Sequence, residues 1–516
     1  MRFRYLPLCV SLLLPLLARA APRSPLASSP SPFLQAQAAS GVHWHPWNDA
    51  TLAAAQAAGK SIYVFIGSPL SELTRATINQ TFTSPKTVEW LNQNFFCIFV
   101  DADERRDLAA YGQHYIRSIK QLQGSPVHLW LTPDLQIYDG ANYLPPSEEW
   151  GKPGFLKAAR SALDTWTGDP ARARRLAAEA LEMMRVPPLA ADAPVDATAK
   201  LDAAAKAWIA AIDPVNGGFG TAPKQPEPEV IRFLLARGDA ASRDAALNAA
   251  RALVKGAARD PVDGGFYRRC IDEAWKEPYY QKTLVDQARI ALALFDAADA
   301  GKDESLRKAA IDALDFSLKE LRNPNGNGGF VAALDGTLQE NADPAKRPNF
   351  VRVGSASAAA QALFLVALAR SGEKRFRELG EFLGKNLPNI SSRHFTLGHS
   401  FDSGEPGSAA DFMAAALAAR ARGAVEEAVE SFLGPANNLY FDVATGLYQA
   451  SPAPPPPGIA ARVPAYGDTP SAEVLALLAG VDAKIAAQIR RALLSNIEYD
   501  EQPPGDVLLG LGSTKP

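Results

Sequence analysis

The chain has 516 residues, of which 21% are charged, and a formal net charge of −3. One ordinary hydrophobic core does not accommodate a chain of this length, so we expect at least two domains. The balanced charge and the absence of a basic stripe with interleaved aromatic residues argue against nucleic-acid binding. The histidines are scattered and no Cys-x-x-Cys motif occurs, so we expect no metal and no cofactor.

The first twenty residues are typical of a targeting segment. Two arginines precede the apolar run Tyr5–Leu17, and Ala18–Ala20 fits a small-x-small cleavage site. We predict a signal peptide over residues 1–20 and an exported protein, periplasmic or secreted, with an uncleaved N-terminal anchor as the alternative. No later stretch predicts a membrane span. Residues 21–40 are rich in Ala, Ser and Pro, and we predict a disordered leader there.

Two cysteines remain after signal cleavage, Cys97 and Cys270. Cys97 lies in the strand-like run Phe95–Val100 and is expected to face the core. A disulfide needs adjacent Cβ atoms, and a core cysteine rarely offers that. We therefore favour two free, buried thiols, although exported proteins do form disulfides.

Helix and strand patterns alternate over residues 41–166. The predicted strands are 61–66, 95–101, 127–132 and 135–139, and the predicted helices are 49–59, one opening at Ser84-Pro85, 105–123 and 154–166. Strand–helix–strand, then helix, hairpin and helix, is the order of the thioredoxin fold. It predicts a mixed sheet with an antiparallel hairpin at one edge.

From about residue 170 onward the pattern is almost entirely helical. The predicted helices are 171–185, 196–212, 241–257, 281–299, 303–322, 355–371, 373–387, 408–421, 424–433, 470–480 and 482–496. Gly-Gly-Phe signatures at 217–219, 264–266 and 328–330 separate some of them. A recurring turn between helices suggests paired-helix repeats that close into a toroid, with an open solenoid as the alternative.

The loop after the first strand is the most informative segment. A strand, a glycine and a short loop lead to Ser71–Thr74, where thioredoxin-like proteins carry Cys-x-x-Cys. Thiol–disulfide exchange needs an attacking thiolate and a resolving thiol, and the hydroxyls of Ser71 and Thr74 supply neither. We therefore expect that the chain is not a thiol–disulfide oxidoreductase. Glu72 and Arg75 are predicted to pair on the first helical turn.

Several short sequence motifs resemble those of one family, the spermatogenesis-associated protein 20-like thioredoxin-domain proteins. These motifs are His43–Trp47, Phe65–Gly67, Asn94–Asp101, Leu131–Asp134, Tyr143–Pro146, Gly217–Lys224 and Asp468–Ser471. The resemblance spans residues 41 to about 480. It implies a multidomain chain with an α/β thioredoxin-like fold over 41–168 and an all-α (α/α) toroid of the six-hairpin glycosidase type over 169–516. It also implies a cis peptide bond before Pro126.

The chain departs from the family's pattern at both presumed sites. The family's Cys-His-Trp-Cys-His corresponds to Ser71–Arg75, and its Pro-His-Phe-Glu-Lys-x-x-x-Asp to Pro278–Lys282 followed by Asp286. Its Glu-Asp-Ala-Asp run corresponds to Leu334–Thr337, which keeps one acid, Asp335. We therefore predict that both sites are eroded.

The resemblance implies a funnel in the toroid, lined by acids and aromatic residues. Asp286, Asp335 and Asp411 are weak candidates for catalysis, because glycoside cleavage uses two carboxyl groups roughly 5–10 Å apart. The candidate ligand-binding residues are Pro126, Trp275, Tyr279, Tyr280, Gln281 and Asp468. Each acid alone is more often a solvated or structural charge.

Three functions follow from these candidates. The leading hypothesis is a binding protein, with little or no catalysis, that holds a sugar-like or peptide ligand in the funnel. The alternative is a glycoside hydrolase or sugar epimerase that uses Asp286 and a second acid facing it. The third is a chaperone-like peptide binder that uses the backbone beside Pro126 for strand addition.

Overall fold

The computed structural model describes residues 24–189, 196–323, 329–337, 348–384, 387, 397–400, 405–465, 472–495, 507–508 and 511. The predicted signal peptide and Asp468 lie outside these residues. Within the described part of the chain, no helix has the length and apolar character needed to cross a membrane.

The first domain is built on a mixed five-stranded sheet in the order β1-β3-β2-β4-β5. β2 pairs with β3 in parallel and with β4 antiparallel, and β4–β5 form the hairpin predicted for one edge. The strands are β1 (Trp44–His45), β2 (Ile62–Gly67), β3 (Phe96–Asp101), β4 (Val127–Leu131) and β5 (Ile137–Ala141). β5 begins two residues later than predicted, because Leu135 takes a left-handed conformation in the tight turn that closes between Thr132 and Gln136.

Helices cover both faces of this sheet. They are α1 (Pro32–Ala36), α2 (Asp49–Ala58), α3 (Glu72–Ala76), α4 (Pro85–Asn94), α5 (Arg106–Lys120), α6 (Phe155–Gly168) and α7 (Pro170–Met183). Side chains alternate between the two faces, so Tyr63 and Phe65 of β2 enter an aromatic core while Val64 and Ile66 enter an aliphatic one. α7 lies beyond the predicted domain boundary at residue 168 and packs into the aromatic core through Ala173 and Ala177.

Residues 24–40 contain short helices, so the prediction of a disordered leader is wrong for this segment. Ser31 caps α1 and donates from Oγ to Asp101 Oδ2 at the end of β3, at 2.6 Å. Leu26 is fully buried, and the Phe33 ring meets the Phe99 ring edge-on. The Ser-Pro composition supplies helix caps here, and the few apolar residues fill a gap beside the sheet, so ordering is stabilised by burial.

The second domain is two layers of helices closed into a ring. They are α8 (Ala197–Ala210), α9 (Pro228–Arg237), α10 (Ala240–Lys255), α11 (Leu284–Gly301), α12 (Glu304–Phe316), α13 (Ala358–Arg370), α14 (Lys374–Gly384), α15 (Ala409–Ala421), α16 (Glu426–Tyr440), α17 (Ala472–Val481) and α18 (Ala483–Ser495). The odd-numbered helices from α9 to α17 pack side by side as the inner layer, and each pairs with its even-numbered successor. Lys200 Nζ of α8 donates to the Leu494 carbonyl of α18, so the first and last helices meet. The predicted toroid is confirmed over the open solenoid.

The Gly-Gly-Phe turns join helices in the same way at successive positions. In the first, Asp213 N donates to Gly218 O, and in the second Asp260 N donates to Gly265 O. Gly217, Gly218, Gly264 and Gly265 all have positive φ, which non-glycine residues adopt only with strain. Of the third signature, Gly329 and Phe330 are described, and Gly329 O accepts from Asn323 N.

Each of the first two turns also buries a lysine. Lys224 Nζ donates to Asp213 Oδ2 and Gly217 O, and Lys282 Nζ donates to Asp260 Oδ2 and Gly264 O. Trp275 lies near Lys224, and Phe316 lies over Lys282. Burial raises the pKa of Asp260, but the hydrogen bond from Lys282 and those from backbone and Tyr267 outweigh it and hold the pKa at about 2. These lysines are therefore structural.

Three features of this domain differ from the predicted run of helices. Residues 281–283, assigned to a helix, form β6 (Gln281–Thr283), which joins β7 (Val331–Asp335) and β8 (Val351–Ser355) in an antiparallel sheet. The helix starts only after Thr283 caps it, because pairing with β7 overrides local propensity. α9 was not predicted, and a two-stranded hairpin, β9 (Phe441–Asp442) and β10 (Leu447–Tyr448), follows α16.

Candidate functional site

The two domains enclose a cavity of ≈ 710 Å³, which is lined by the inner helices of the toroid and by residues of the first domain. The first domain contributes one face of α5, since Arg106, Ala109, Ala110, Gln113 and Arg117 recur at helical spacing. The inner helices α9, α11, α13 and α15 form the opposite wall. The charged residues of the lining are Asp103, Glu104, Arg106, Arg117, Glu229, Arg232, Arg268, Asp286, Arg289 and His399.

His399 is the most distinctive residue of this lining. Its Nδ1 lies 2.8 Å from Asp411 Oδ2, and both side chains are buried. The Nε2 atom has no hydrogen-bond partner among the described residues. The pair therefore has a histidine at the cavity wall and an acid behind it that orients the ring.

The protonation state of His399 follows from this geometry. Burial lowers its pKa, but the charge and hydrogen bond of Asp411 outweigh burial and raise the pKa to about 9. The imidazole is therefore a cation and a proton donor at neutral pH. The sequence gives no sign of this residue, because no motif surrounds it and its partner Asp411 lies twelve residues further along the chain.

Asp411, a candidate for catalysis on the sequence, is not part of the cavity lining. Besides His399, its carboxylate accepts from Ser408 N and Oγ and from Ala359 N. It closes the capping box of α15 with Ser408. Its pKa is lowered, since the charge of His399 and these hydrogen bonds outweigh the opposing effect of burial. Asp411 is a positioning residue.

Asp286 does line the cavity, as the enzyme hypothesis requires, and accepts from Thr283 Oγ1 at 2.6 Å. The acids that share this lining are Glu229, from α9, and Asp103 and Glu104 from the thioredoxin-like domain. Glu104 Oε1 accepts from Ser400 Oγ across the domain boundary, at 3.2 Å. Asp335 and Asp411, the other two candidates for catalysis, are not part of the lining, so neither is the second acid that the enzyme hypothesis places opposite Asp286.

Asp335 instead holds the two domains together. It is fully buried and accepts from Gln281 Nε2 at 2.6 Å and from Arg75 Nη1 at 3.4 Å. Arg75 also donates to Thr337 Oγ1, while Gln281 donates to Leu70 O. The loop that follows β2 is thereby docked on the β6–β7 edge. The predicted pair of Glu72 with Arg75 is not formed, because Arg75 reaches the toroid and Glu72 is exposed.

The loop positions assigned to redox chemistry carry structural hydroxyls. Ser71 caps α3 by accepting from Thr74 N, and Thr74 Oγ1 lies 3.3 Å from Ser125 Oγ. The Ser125–Pro126 bond is cis, which confirms that expectation, and Pro126 is buried. That Ser71–Thr74 stand for a lost Cys-x-x-Cys stays a prediction.

Neither cysteine offers a replacement thiol. Cys97 and Cys270 are both free and buried, which confirms the prediction. Burial raises the pKa of each thiol, that of Cys270 to about 12. Across the described residues, no group of three or more His, Cys, Asp or Glu side chains could hold a metal ion.

The predicted aromatic walls lie away from the cavity. Trp275 is buried and donates from Nε1 to Gly217 O, while the Arg269 guanidinium lies over the Tyr279 ring. Tyr280 packs edge-on against Tyr267. Of the predicted site residues that the structure describes, Asp286 alone lines the cavity, and Pro126, Trp275, Tyr279, Tyr280 and Gln281 lie outside its lining.

The fold and the cavity define a thioredoxin-like domain joined to a helical toroid. Residues 23–185 match the family Thioredox_DsbH, described as a protein of unknown function, DUF255. Spermatogenesis-associated protein 20 of Mus musculus is 26% identical over 322 residues, which cover 60% of this chain and 40% of that protein. The Homo sapiens protein of the same name is 26% identical, with 59% and 40% covered.

These matches confirm the resemblance to the spermatogenesis-associated protein 20-like family. The chain spans about two fifths of the length of these curated relatives. Among solved structures, D-mannose isomerase has a TM-score of 0.44 at 14% identity, covering 61% of this chain and 95% of that one. Cellobiose 2-epimerase from Spirochaeta thermophila DSM 6192 has a TM-score of 0.43 at 18% identity, covering 59% and 86%.

Proposed function

We propose that this protein binds a small, sugar-like ligand in the cavity between its domains, with His399 as the proton donor to it. The observation that carries the proposal is the His399–Asp411 pair, which directs a charged imidazole to a cavity that Asp286 also lines. Buried charges usually close on one another, whereas this one keeps a face toward open space.

The size and chemistry of the lining favour such a ligand. The cavity of ≈ 710 Å³ falls within the range of about 300–1,000 Å³ that is common for small-molecule sites. The lining combines apolar side chains, among them Leu292, Leu363, Met413 and Leu417, with charged side chains from both domains. A sugar has apolar ring faces and polar hydroxyl edges, so it matches both kinds of side chain.

The same residues support weak acid–base chemistry as the alternative. His399 is protonated at neutral pH and can donate a proton, while a carboxylate such as Asp286 can accept one. Sugar isomerisation and epimerisation need both roles.

A peptide ligand beside Pro126 is less well supported. Pro126 is buried, and β4, which follows it, already pairs with β2 and β5 on its two sides. No free edge is left on this strand for the addition of another.

Calorimetric titration of the full chain with neutral mono- and disaccharides tests the proposal. We expect binding that His399→Gln weakens by about tenfold or more, as the loss of a charged donor implies. His43→Gln, which changes an exposed histidine, should bind as the native chain does. Equal binding by the native chain and His399→Gln would overturn the role of His399, and no binding by any sugar would overturn the proposal.

We further propose that the protein is exported, on the strength of the apolar run Tyr5–Leu17. Expression with and without residues 1–20, followed by fractionation, tests this. Retention of both forms in the cytoplasm would contradict it.

A further inference from the structure

We propose that Arg268 donates hydrogen bonds to oxygen atoms of the sugar in the cavity, and that Gln281 is the residue that sets its direction. This proposal rests on the proposed function and adds to it a second ligand-binding side chain and a positioning residue. The observation that carries it is a series of hydrogen bonds. They run from the first domain to the cavity through Asp335, Gln281 and Arg268.

Arg268 reaches the cavity with hydrogen-bond donors to spare. It lies in the lining and has exposed surface. Its Nη1 donates to Gln281 Oε1 at 3.0 Å, and in the described part of the chain Gln281 is the only hydrogen-bond partner of this side chain. A guanidinium has several N–H donors in a fixed planar arrangement and no acceptor. Arg268 can therefore bind a ligand that presents oxygen atoms to it.

Gln281 holds this guanidinium in one direction. Its side chain is fully buried, and Nε2 donates to Asp335 Oδ2 at 2.6 Å and to Leu70 O at 3.1 Å. A carboxylate and a backbone carbonyl only accept, so the amide nitrogen faces them and Oε1 faces Arg268. The backbone adds a second contact, because Arg268 N donates to Gln281 O at 2.8 Å. The orientation of the amide, and with it that of Arg268, is therefore determined by buried neighbours.

The first domain fixes Gln281 from the other side. Leu70 and Arg75 belong to the segment that follows β2, and Leu70 itself lines the cavity. Arg75 Nη1 lies 3.4 Å from Asp335 Oδ2, the same oxygen that accepts from Gln281. The docking of the two domains is thus transmitted to the cavity wall through one buried amide. We expect the position of Arg268 to depend on Arg75, although Arg75 lies outside the lining.

The donors and acceptors of the lining are complementary to a sugar. Protonated His399 and Arg268 only donate hydrogen bonds, whereas the carboxylate of Asp286 accepts them. A hydroxyl group does both, and a sugar carries several, so one ligand can satisfy all three side chains. We expect Arg268 to contact the part of the sugar that lies nearest β6, since Gln281 belongs to that strand.

Calorimetric titration of the full chain with neutral sugars, among them D-glucose, D-mannose and cellobiose, tests the role of Arg268. We expect Arg268→Gln to weaken the binding seen with the native chain by about tenfold or more, as the loss of a charged donor implies. Arg268→Lys keeps a charged donor without the planar fork and should recover part of this loss. Arg243→Gln, on the exposed face of α10, is the matched control and should bind as the native chain does.

A comparison of two backgrounds tests the role of Gln281. Gln281→Met removes the amide but keeps a side chain of similar length, so binding should weaken in the native background. In Arg268→Gln the same substitution should add nothing, because a positioning residue acts only through the side chain that it positions. A residue that only stabilised the fold would weaken binding equally in both. Arg75→Gln should show the same dependence on background from outside the cavity.

Gln56→Met, on the exposed surface of α2, is the matched control for Gln281→Met, and melting temperatures establish that each variant folds. Two results would overturn the inference while the proposed function stands. One is binding by Arg268→Gln as tight as that of the native chain, and the other is losses from Gln281→Met and Arg75→Gln that are equally large in both backgrounds. Binding of no sugar by the native chain would overturn both proposals.

Discussion

The Gly-Gly-Phe turns and the cavity each bury a carboxylate against a basic side chain, yet the two regions use the pair differently. At the second turn, Lys282 is closed in by Asp260, Gly264 O and the rings of Tyr267 and Phe316. In the cavity, Asp411 engages only one nitrogen of His399. A buried ion pair is therefore structural where protein atoms surround the cation, and a candidate site where one edge of the cation faces a cavity.

The turn should be the more costly of the two regions to disturb. Lys282→Met leaves Asp260 buried without its cation, which should lower the free energy of unfolding by about 3–5 kcal/mol. Urea denaturation measures this. Lys206→Met removes an exposed lysine and should change it by less than about 0.5 kcal/mol. Equal results for the two variants would refute the structural role of Lys282.

The His399–Asp411 pair should make the free energy of unfolding depend on pH. The folded pKa of His399 is about 9, above the unfolded value of about 6.5. Its contribution is therefore fully present below about pH 6.5 and is lost as the pH rises through about 9, for a total on the order of 3 kcal/mol. Urea denaturation at about pH 6 and about pH 9.5 measures the difference.

Two variants isolate this contribution. His399→Gln has no group to titrate here, so the decline should be smaller than in the native chain, whereas His43→Gln should decline as the native chain does. An identical decline in all three proteins would show that other groups cause it.

The domain junction should be intermediate in effect. Arg75→Gln removes the charge that faces buried Asp335, and should lower the free energy of unfolding by about 2–3 kcal/mol. Combined with Asp335→Asn, the loss should be less than the sum of the single losses, because the two residues interact directly. Additive losses would argue that the contact contributes nothing.

The smallest effect is expected at Glu72, which the sequence predicts to pair with Arg75. Glu72→Ala removes an exposed side chain, so the free energy of unfolding should change by less than about 0.5 kcal/mol. A larger loss would restore the pairing of Glu72 with Arg75.

The sequence predicted the fold better than the site. Strand alternation and helix spacing are local, so the order of the sheet domain and the ring of helices could be predicted. β6 could not, because Gln281–Thr283 become a strand only when Val331–Asp335 lies beside them. The same holds for the leader, whose order depends on Asp101.

The site depends on side chains that the fold brings together from distant segments. Asp286 and Asp335 both stand at positions of the family's pattern, yet Asp286 lines the cavity and Asp335 lies at the domain junction. A motif position indicates that a residue matters but not which way it faces. His399 has no motif, and only the ring of helices places it at the cavity beside residues of another domain.

The two complete Gly-Gly-Phe turns behave as interchangeable parts. Asp213–Phe219 and Asp260–Phe266 differ in sequence at a single position, Asn216 against Asp263, and form the same closing hydrogen bonds. Each holds its lysine through equivalent atoms, although Lys224 and Lys282 come from differently spaced segments. A toroid whose helices are joined by such similar turns can gain or lose helix pairs by duplication or deletion of a segment, because the residues of each turn fix its geometry.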